Sequence, residues 1–228
     1  MTTPATAAAS TVPAEQRITA PAIWLWFELL FLFVGAPLLM FERLIPNWPI
    51  LYLLFGTIGV LLVLRTDKSF DAQLLVRHSG LGAGFRKLLL RDLPLIALLG
   101  LGVWRFSPDS LFSLVKAAPG IWLLVMIFYP VFSVYPQELL YRAYFFHRYE
   151  RLFGSGWGMV AANAVLFGFV HIIFGSWISV VLTAVGGVLF AQTYKKSGSL
   201  LLACLEHALF GDFIFTIGLG RYFYHLAH

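Results

Sequence analysis

The chain consists of long apolar runs separated by short polar connections. Seven apolar runs lie at about 22–41, 48–64, 88–106, 119–135, 157–177, 178–194 and 199–219, and a short stub follows the last of them. One crossing of a bilayer needs ~20 predominantly apolar residues, and every backbone amide in lipid must be satisfied within its own element. The pattern therefore predicts an all-α fold, a polytopic transmembrane helical bundle of seven to eight spans.

The predicted bundle fills most of the 228 residues and leaves no room for a separate soluble domain. Residues 1–20 are small and polar, without the basic start and short apolar core of a signal peptide. We interpret them as a flexible cytosolic tail. Residues 21–228 then form a single membrane-embedded helical domain.

Composition supports a membrane protein, because 60% of the residues are apolar, 12% are charged and the mean hydropathy is +0.83. These values lie outside the usual balance of a soluble domain. The net charge of +5 is explained by basic loops at 65–92, 148–151 and 195–198, which the positive-inside rule places in the cytosol against an anionic leaflet. We expect a multi-pass protein of the bacterial inner membrane with a cytosolic N-terminus, and no nucleic-acid partner.

Ionisable side chains at membrane depth are costly and commonly face a cavity or each other. The stretch YPQELLYR places Gln137, Glu138 and Arg142 directly after Pro136 on a continuing helix. Glu138 and Arg142 are four residues apart, so they lie on one helical face and can pair. Such a pair can belong to a reaction site or simply neutralise two buried charges.

Two further predicted helices carry polar groups at comparable positions. FGFVH places Phe167 and His171 four residues apart, and LEHALFGDF contains Glu206, His207 and Asp212. A single histidine on an apolar helix is more often a core residue than a catalyst. Two histidines in different spans, with a carboxylate in a third, favour a shared site.

The depths of these groups agree with a shared site. With a rise of ~1.5 Å per residue from the cytosolic edge of each helix, Glu138 lies ~21 Å deep, His171 ~22 Å and His207 ~14 Å. Helix tilt can absorb the last difference. We therefore expect the three groups to converge at one level inside the bilayer.

At these positions the sequence resembles the CPBP family, which comprises the type II CAAX prenyl endopeptidases and their bacterial Abi-type relatives. That family carries EExxxR, FxxxH and HxxxN/D in successive parts of a helical bundle, and the matching strings here are QELLYR, FGFVH and HALFG. The CPBP-like core covers about 119–220. The resemblance implies an intramembrane endopeptidase that cleaves a peptide bond near the membrane. Its partners would be the lipid bilayer and a membrane protein or peptide substrate.

Two positions depart from the family pattern. The first glutamate of the family, usually regarded as the base that activates water, is Gln137, which leaves Glu138 as the carboxylate of that motif. The last residue of the family pattern is Gly211, and the nearest substitute, Asp212, lies one position further on. In an unbroken helix Asp212 points ~140° away from His207, so it joins the site only if the glycine opens the helix.

The predicted site contains Glu138, His171, His207, Gln137 and Arg142. Glu138 is expected to act as the base, the histidines to polarise the carbonyl group or hold the oxyanion, and Arg142 to hold Glu138 or a substrate carboxylate. Gln137 is expected to hydrogen-bond the intermediate. Glu138, His171 and His207 are also three candidate ligands for Zn²⁺, but no HExxH pair supports zinc, so Zn²⁺ and metal-free chemistry both stay open.

Two other functions are compatible with the same residues. A catalytically impaired relative that acts as a membrane binding or immunity protein would explain Gln137 directly. A small transporter or proton relay also uses buried Glu, Arg and His residues, although no repeat relates the two halves of the chain. Glu28, the acid of the first apolar run, matches no motif and is expected not to be catalytic.

Overall fold

The computed structural model describes residues 21–224, and the regular secondary structure in this range is entirely helical, which confirms the all-α class. The predicted tail at 1–20 lies outside the described residues. Short 3₁₀ turns at Pro108–Ser110 and Leu219–Phe223 accompany the α-helices. These helices are α1 Ala22–Phe41, α2 Pro49–Thr66, α3 Gln73–Val76, α4 Leu81–Phe106, α5 Ser113–Ala117, α6 Pro119–Arg148, α7 Glu150–Phe153, α8 Trp157–Phe174, α9 Trp177–Ser197 and α10 Leu200–Thr216.

Five of the described helices, α1, α2, α6, α8 and α9, are long and apolar enough to cross a membrane. Large apolar side chains such as Ile23, Phe55 and Trp177 point outward from the bundle, as expected where lipid replaces water. The protein is therefore an integral multi-pass membrane protein. The predicted count of seven to eight spans is not confirmed, because α4 carries Arg91 and Asp92 within its apolar run and α10 has only 17 residues.

Helix α6 is longer than the apolar run from which it was predicted, since it continues from residue 135 to Arg148. Pro130 and Pro136 lack the N–H that an α-helical turn requires. The chain widens into π-helical turns at Pro130–Val134 and Leu139–Tyr144, a local change that helices commonly make at functional sites. The helix thus continues past both prolines, and Gln137, Glu138 and Arg142 all lie on it.

Helices α8 and α9 pack closely through small residues. A Cβ atom added to Gly168 would lie 2.7 Å from the Cβ of Ala184, and one added to Gly187 would lie 3.0 Å from the Cα of Ala164. In a membrane, small residues of this kind allow two helix backbones to approach each other. This contact holds α8, which carries the FGFVH motif, against the bundle.

Helix α1 is attached to α6 through Glu28. Its carboxylate accepts hydrogen bonds from Arg148 Nη2 at 2.7 Å, from the Tyr144 hydroxyl at 2.6 Å and from the Tyr149 hydroxyl at 3.0 Å. Glu28 does not line the main cavity of the bundle. These contacts give Glu28 a structural role, and that it is not catalytic stays a prediction.

The loop after α2 is attached to the end of α6 through Asp67. Its carboxylate accepts a hydrogen bond from the Ser69 hydroxyl at 2.6 Å and lies 2.8 Å from His147 Nε2. Burial raises the pKa of Asp67, but the hydrogen bonds from Ser69 and His147 outweigh burial and hold that pKa below its usual value. Asp67 is therefore ionised at neutral pH and can hold this loop on α6.

Candidate functional site

A large cavity of about 1760 Å³ lies among the long helices, and most of its lining is apolar. The polar side chains on its wall include Tyr129, Gln137, His171 and His207, which come from the motif-bearing part of the chain. Ligand pockets typically have volumes of ~300–1,000 Å³. This cavity is therefore large enough for a segment of polypeptide, with the polar groups of α6, α8 and α10 on its wall.

Glu138 and His207 form a hydrogen-bonded pair between α6 and α10. The Oε1 atom of Glu138 lies 2.8 Å from Nδ1 of His207, and because a carboxylate only accepts, Nδ1 is the donor. The His207 ring is stacked on Phe190 with 4.6 Å between centroids and 16° between planes. Glu138 is fully buried and does not line the cavity, whereas His207 does. The carboxylate thus lies behind the imidazole and orients it.

Arg142 neutralises the buried carboxylate from the other side. Its Nε atom lies 3.1 Å from Glu138 Oε2, which confirms the predicted pair, although these atoms are not aligned for a hydrogen bond. The Nη1 atom of Arg142 donates to Asn163 Oδ1 at 3.0 Å, and its guanidinium lies 4.7 Å from the centre of the Phe167 ring. Burial of a carboxylate is tolerated when a cation and hydrogen bonds compensate it, as they do here.

His171 lies in the final 3₁₀ turn of α8, at Val170–Phe174. Its Nδ1 atom lies 2.8 Å from the carbonyl oxygen of Phe167 and therefore donates to it, which leaves Nε2 as an acceptor in the neutral ring. The Phe167 ring makes edge contacts with His171 and His207, with 5.2 and 5.5 Å between centroids. The predicted Glu138, His171 and His207 thus occupy one region, with Phe167 between the two histidines.

Gln137 and Glu138 are neighbours in sequence but point to different sides of α6. Gln137 is half-buried and lines the cavity, and its Nε2 donates to the Ser133 hydroxyl at 2.7 Å. Consecutive residues of a helix are rotated by ~100°, which explains why Glu138 is turned away from the cavity. The position where the resemblance places the family's base therefore faces the cavity, but it carries an amide.

Two further expectations for this site concern a metal ion and Asp212. Among residues 21–224, no group of three or more His, Cys, Asp or Glu side chains is placed to hold a metal ion. Helix α10 runs without a break through Gly211. The condition under which Asp212 would join His207 is therefore not met, and Asp212 does not line the cavity.

Tyr129 also lies at the site, although no pattern in the sequence predicted it as a site residue. Its hydroxyl lies 3.1 Å from Nε2 of His207, and the two rings meet edge to face with 6.1 Å between centroids. Tyr129 belongs to an apolar run and to no motif, so its pattern gave no signal. In the structure, Gly211 leaves room for this side chain, because a Cβ atom at that position would overlap the Tyr129 ring.

Comparison with known proteins agrees with this geometry. The family model for Rce1-like type II CAAX prenyl endopeptidases matches residues 119–211. This range contains the three motifs at 137–142, 167–171 and 207–211, and the match confirms the predicted resemblance. Searches among curated proteins and among solved structures found no match.

Proposed function

We propose that this multi-pass membrane protein, whose residues 119–211 match the family model for Rce1-like type II CAAX prenyl endopeptidases, is a CAAX-type intramembrane protease of the CPBP family. It cleaves a peptide bond near the membrane with water activated by His207 and Glu138. The observation that carries the proposal is the 2.8 Å hydrogen bond from His207 Nδ1 to the buried carboxylate of Glu138. A carboxylate in this position selects the tautomer of the imidazole and stabilises the imidazolium that forms when Nε2 accepts a proton.

In the proposed reaction, a segment of a membrane protein or peptide lies in the cavity with its carbonyl carbon near His207. Nε2 takes a proton from water while the water oxygen bonds to that carbon and the carbonyl electrons move onto oxygen. When the C–N bond breaks, His207 returns the proton to the leaving amine. Glu138 stays ionised throughout, paired with Arg142 at 3.1 Å.

This assignment differs from the expectation that Glu138 itself takes the proton. Glu138 is fully buried and lies behind His207, so a water molecule in the cavity meets the imidazole first. His171 Nε2 and the amide oxygen of Gln137 are both acceptors on the cavity wall. In the proposal one of these two acceptors holds the second hydrogen of the attacking water and fixes its direction of approach.

The test is cleavage of a membrane-reconstituted peptide library by wild type and three variants. His207→Gln and Glu138→Gln should each lower turnover by ~10²-fold or more, the scale of a lost general base. Glu28→Gln is the matched control, because Glu28 is also an acid within a helix but binds Arg148 away from the cavity; its activity should stay within a few-fold of wild type. Full activity of Glu138→Gln would refute the proposed role of the pair.

A second candidate function is favoured by Gln137. An amide faces the cavity where the family has a carboxylate, and this supports a catalytically impaired relative that binds a membrane partner or acts as an immunity protein. On this alternative, wild type cleaves nothing and Gln137→Glu gains cleavage. If wild type cleaves and Gln137→Ala lowers the rate only several-fold, the alternative is rejected.

The orientation in the membrane is part of the proposal. The basic residues Arg77, Arg86, Lys87, Lys195 and Lys196 lie in or beside the connections α2–α4 and α9–α10. In this proposal α4 also crosses the membrane, and the positive-inside rule then places both connections and the N-terminus in the cytosol of a bacterial cell. Labelling of single cysteines introduced at Lys87 and at Ser176 from outside intact cells should modify only the second.

A further inference from the structure

We infer that Tyr129 is a catalytic residue of this site, and that its hydroxyl donates the hydrogen bond that stabilises the oxyanion formed during peptide cleavage. The inference rests on the proposed endopeptidase function. It adds a residue that lies outside all three motifs.

The position of Tyr129 places its hydroxyl beside the reacting atoms. The oxygen lies 3.1 Å from His207 Nε2, the atom that takes the proton from water in the proposed reaction, and it lines the same cavity as His171 and Gln137. The ring is held by edge-to-face packing on Phe215, with 5.3 Å between centroids. A carbonyl group attacked by water near His207 would therefore have its oxygen within reach of this hydroxyl.

Gly211 is what allows Tyr129 to occupy this position. His207 and Gly211 are four residues apart in α10 and share one helical face. The first three atoms that an added Cβ at Gly211 would meet are Cε1, Oη and Cζ of Tyr129, all closer than a real Cβ atom approaches. A side chain at 211 and the Tyr129 ring therefore exclude each other, and the ring fills the space that the glycine leaves.

The two histidines do not supply this hydrogen bond in their neutral forms. In its neutral form His171 uses its one N–H on the Phe167 carbonyl, and His207 uses its own on Glu138, so both present only an acceptor to the cavity. The Tyr129 phenol carries a proton and can rotate its O–H from His207 Nε2 to the developing oxyanion. It keeps that proton throughout, so the electron and proton balance of the reaction is unchanged. Preorganised donors of this kind stabilise the charge that develops in the transition state.

The first test is Tyr129→Phe, which keeps the ring and removes the hydroxyl. In the reconstituted cleavage assay, kcat should fall by ~10²-fold, the scale of one lost oxyanion donor, with KM little changed. Tyr135→Phe is the matched control, since Tyr135 lies on the same helix but does not line the cavity; its kcat should match wild type. Wild-type kcat in Tyr129→Phe would overturn the inference and leave the proposed function standing, whereas a wild type without activity would overturn both.

A second pair of variants tests whether the hydroxyl matters as a donor or the ring only as packing. Tyr129→Ala should lose at least as much activity as Tyr129→Phe. The double variant Tyr129→Ala with Gly211→Asn places a carboxamide N–H on the His207 face of α10, in the space that the Tyr129 ring has left. Its kcat should be ~10-fold or more above that of Tyr129→Ala. If Tyr129→Ala with Gly211→Leu recovers kcat to the same extent, then filling the space left by the ring is enough for activity. That result would overturn the assignment of Tyr129 as a hydrogen-bond donor.

Discussion

At the scale of single residues, Arg142 is the side chain on which the buried acid depends. It is fully buried, and it contacts Glu138, Asn163 and the face of Phe167 at the same time. A planar guanidinium can make these three contacts together, whereas an ammonium group acts as a point charge. The charge of Arg142 compensates the buried Glu138 carboxylate, and its shape places both Glu138 and Phe167 against His207.

Arg142→Lys should therefore separate charge from shape. We expect the protein to fold, because the cation is kept, and kcat to fall by ~10-fold or more, because the hydrogen bond to Asn163 and the stacking on Phe167 are lost. Cleavage rates and thermal unfolding in the same detergent measure the two effects. Wild-type kcat in this variant would show that only the charge is needed.

The pairing of Glu138 and Arg142 could be predicted from their spacing, since four residues bring two side chains onto one face of any helix. Which side of α6 faces the cavity could not be predicted from the sequence. It depends on the π turn at Leu139–Tyr144 and on where α10 lies, and neither is encoded in a local pattern. Tyr129 could not be predicted for the same reason, because its partner His207 is 78 residues away in the sequence.

At the scale of elements, the contact between α8 and α9 sets the position of the FGFVH motif. Gly168 follows Phe167 directly, and a Cβ atom there would lie 2.7 Å from Ala184 Cβ and 2.9 Å from the carbonyl oxygen of Val180. The second of these is a backbone atom, so the contact cannot be relieved by a rotamer change. The two helices would have to move apart.

Gly168→Ala should for this reason lower stability by ~1–3 kcal/mol, the usual cost of overpacking, although alanine is intrinsically the better helix former. Gly120→Ala is the matched control, because nothing lies within 4 Å of a Cβ added there, and it should leave the unfolding midpoint unchanged or slightly raised. Thermal unfolding of both variants in detergent is the measurement. Equal midpoints would mean that α8 and α9 are less tightly packed than the structure indicates.

The sequence predicts well which long segments are helical, but it does not predict where each helix ends. The runs at 157–177 and 178–194 correspond to Trp157–Phe174 and Trp177–Ser197, so the predicted boundary is shifted by three residues. The actual break is at Gly175, which adopts a left-handed conformation with φ 65°. Hydropathy does not change at this position, since apolar residues lie on both sides of it, and only the backbone freedom of glycine marks the turn.

At the scale of the whole molecule, a second buried group of charges joins three helices. Arg91 of α4 binds both carboxylate oxygens of Asp92, at 2.6 and 3.1 Å, and also contacts Glu206 of α10 and, at 3.4 Å, Thr193 of α9. Asp92 and Glu206 are fully buried. Their sequence separation of more than 100 residues explains why this group could not be predicted, although each charge in an apolar run was visible.

Arg91→Met should destabilise the bundle by ~3–5 kcal/mol, because two buried carboxylates lose the cation that contacts both of them. Combining Arg91→Met with Glu206→Gln should recover part of this loss, since it removes one of the two buried charges that have lost their cation. Arg105→Met is the control, as Arg105 lies on the same helix but is exposed, and surface changes of this kind usually stay within ~0.5 kcal/mol. Chemical unfolding in detergent compares the variants. If Arg91→Met and Arg105→Met unfold alike, α4 is not held to α9 and α10 by this group, and its apolar face alone must attach it to the bundle.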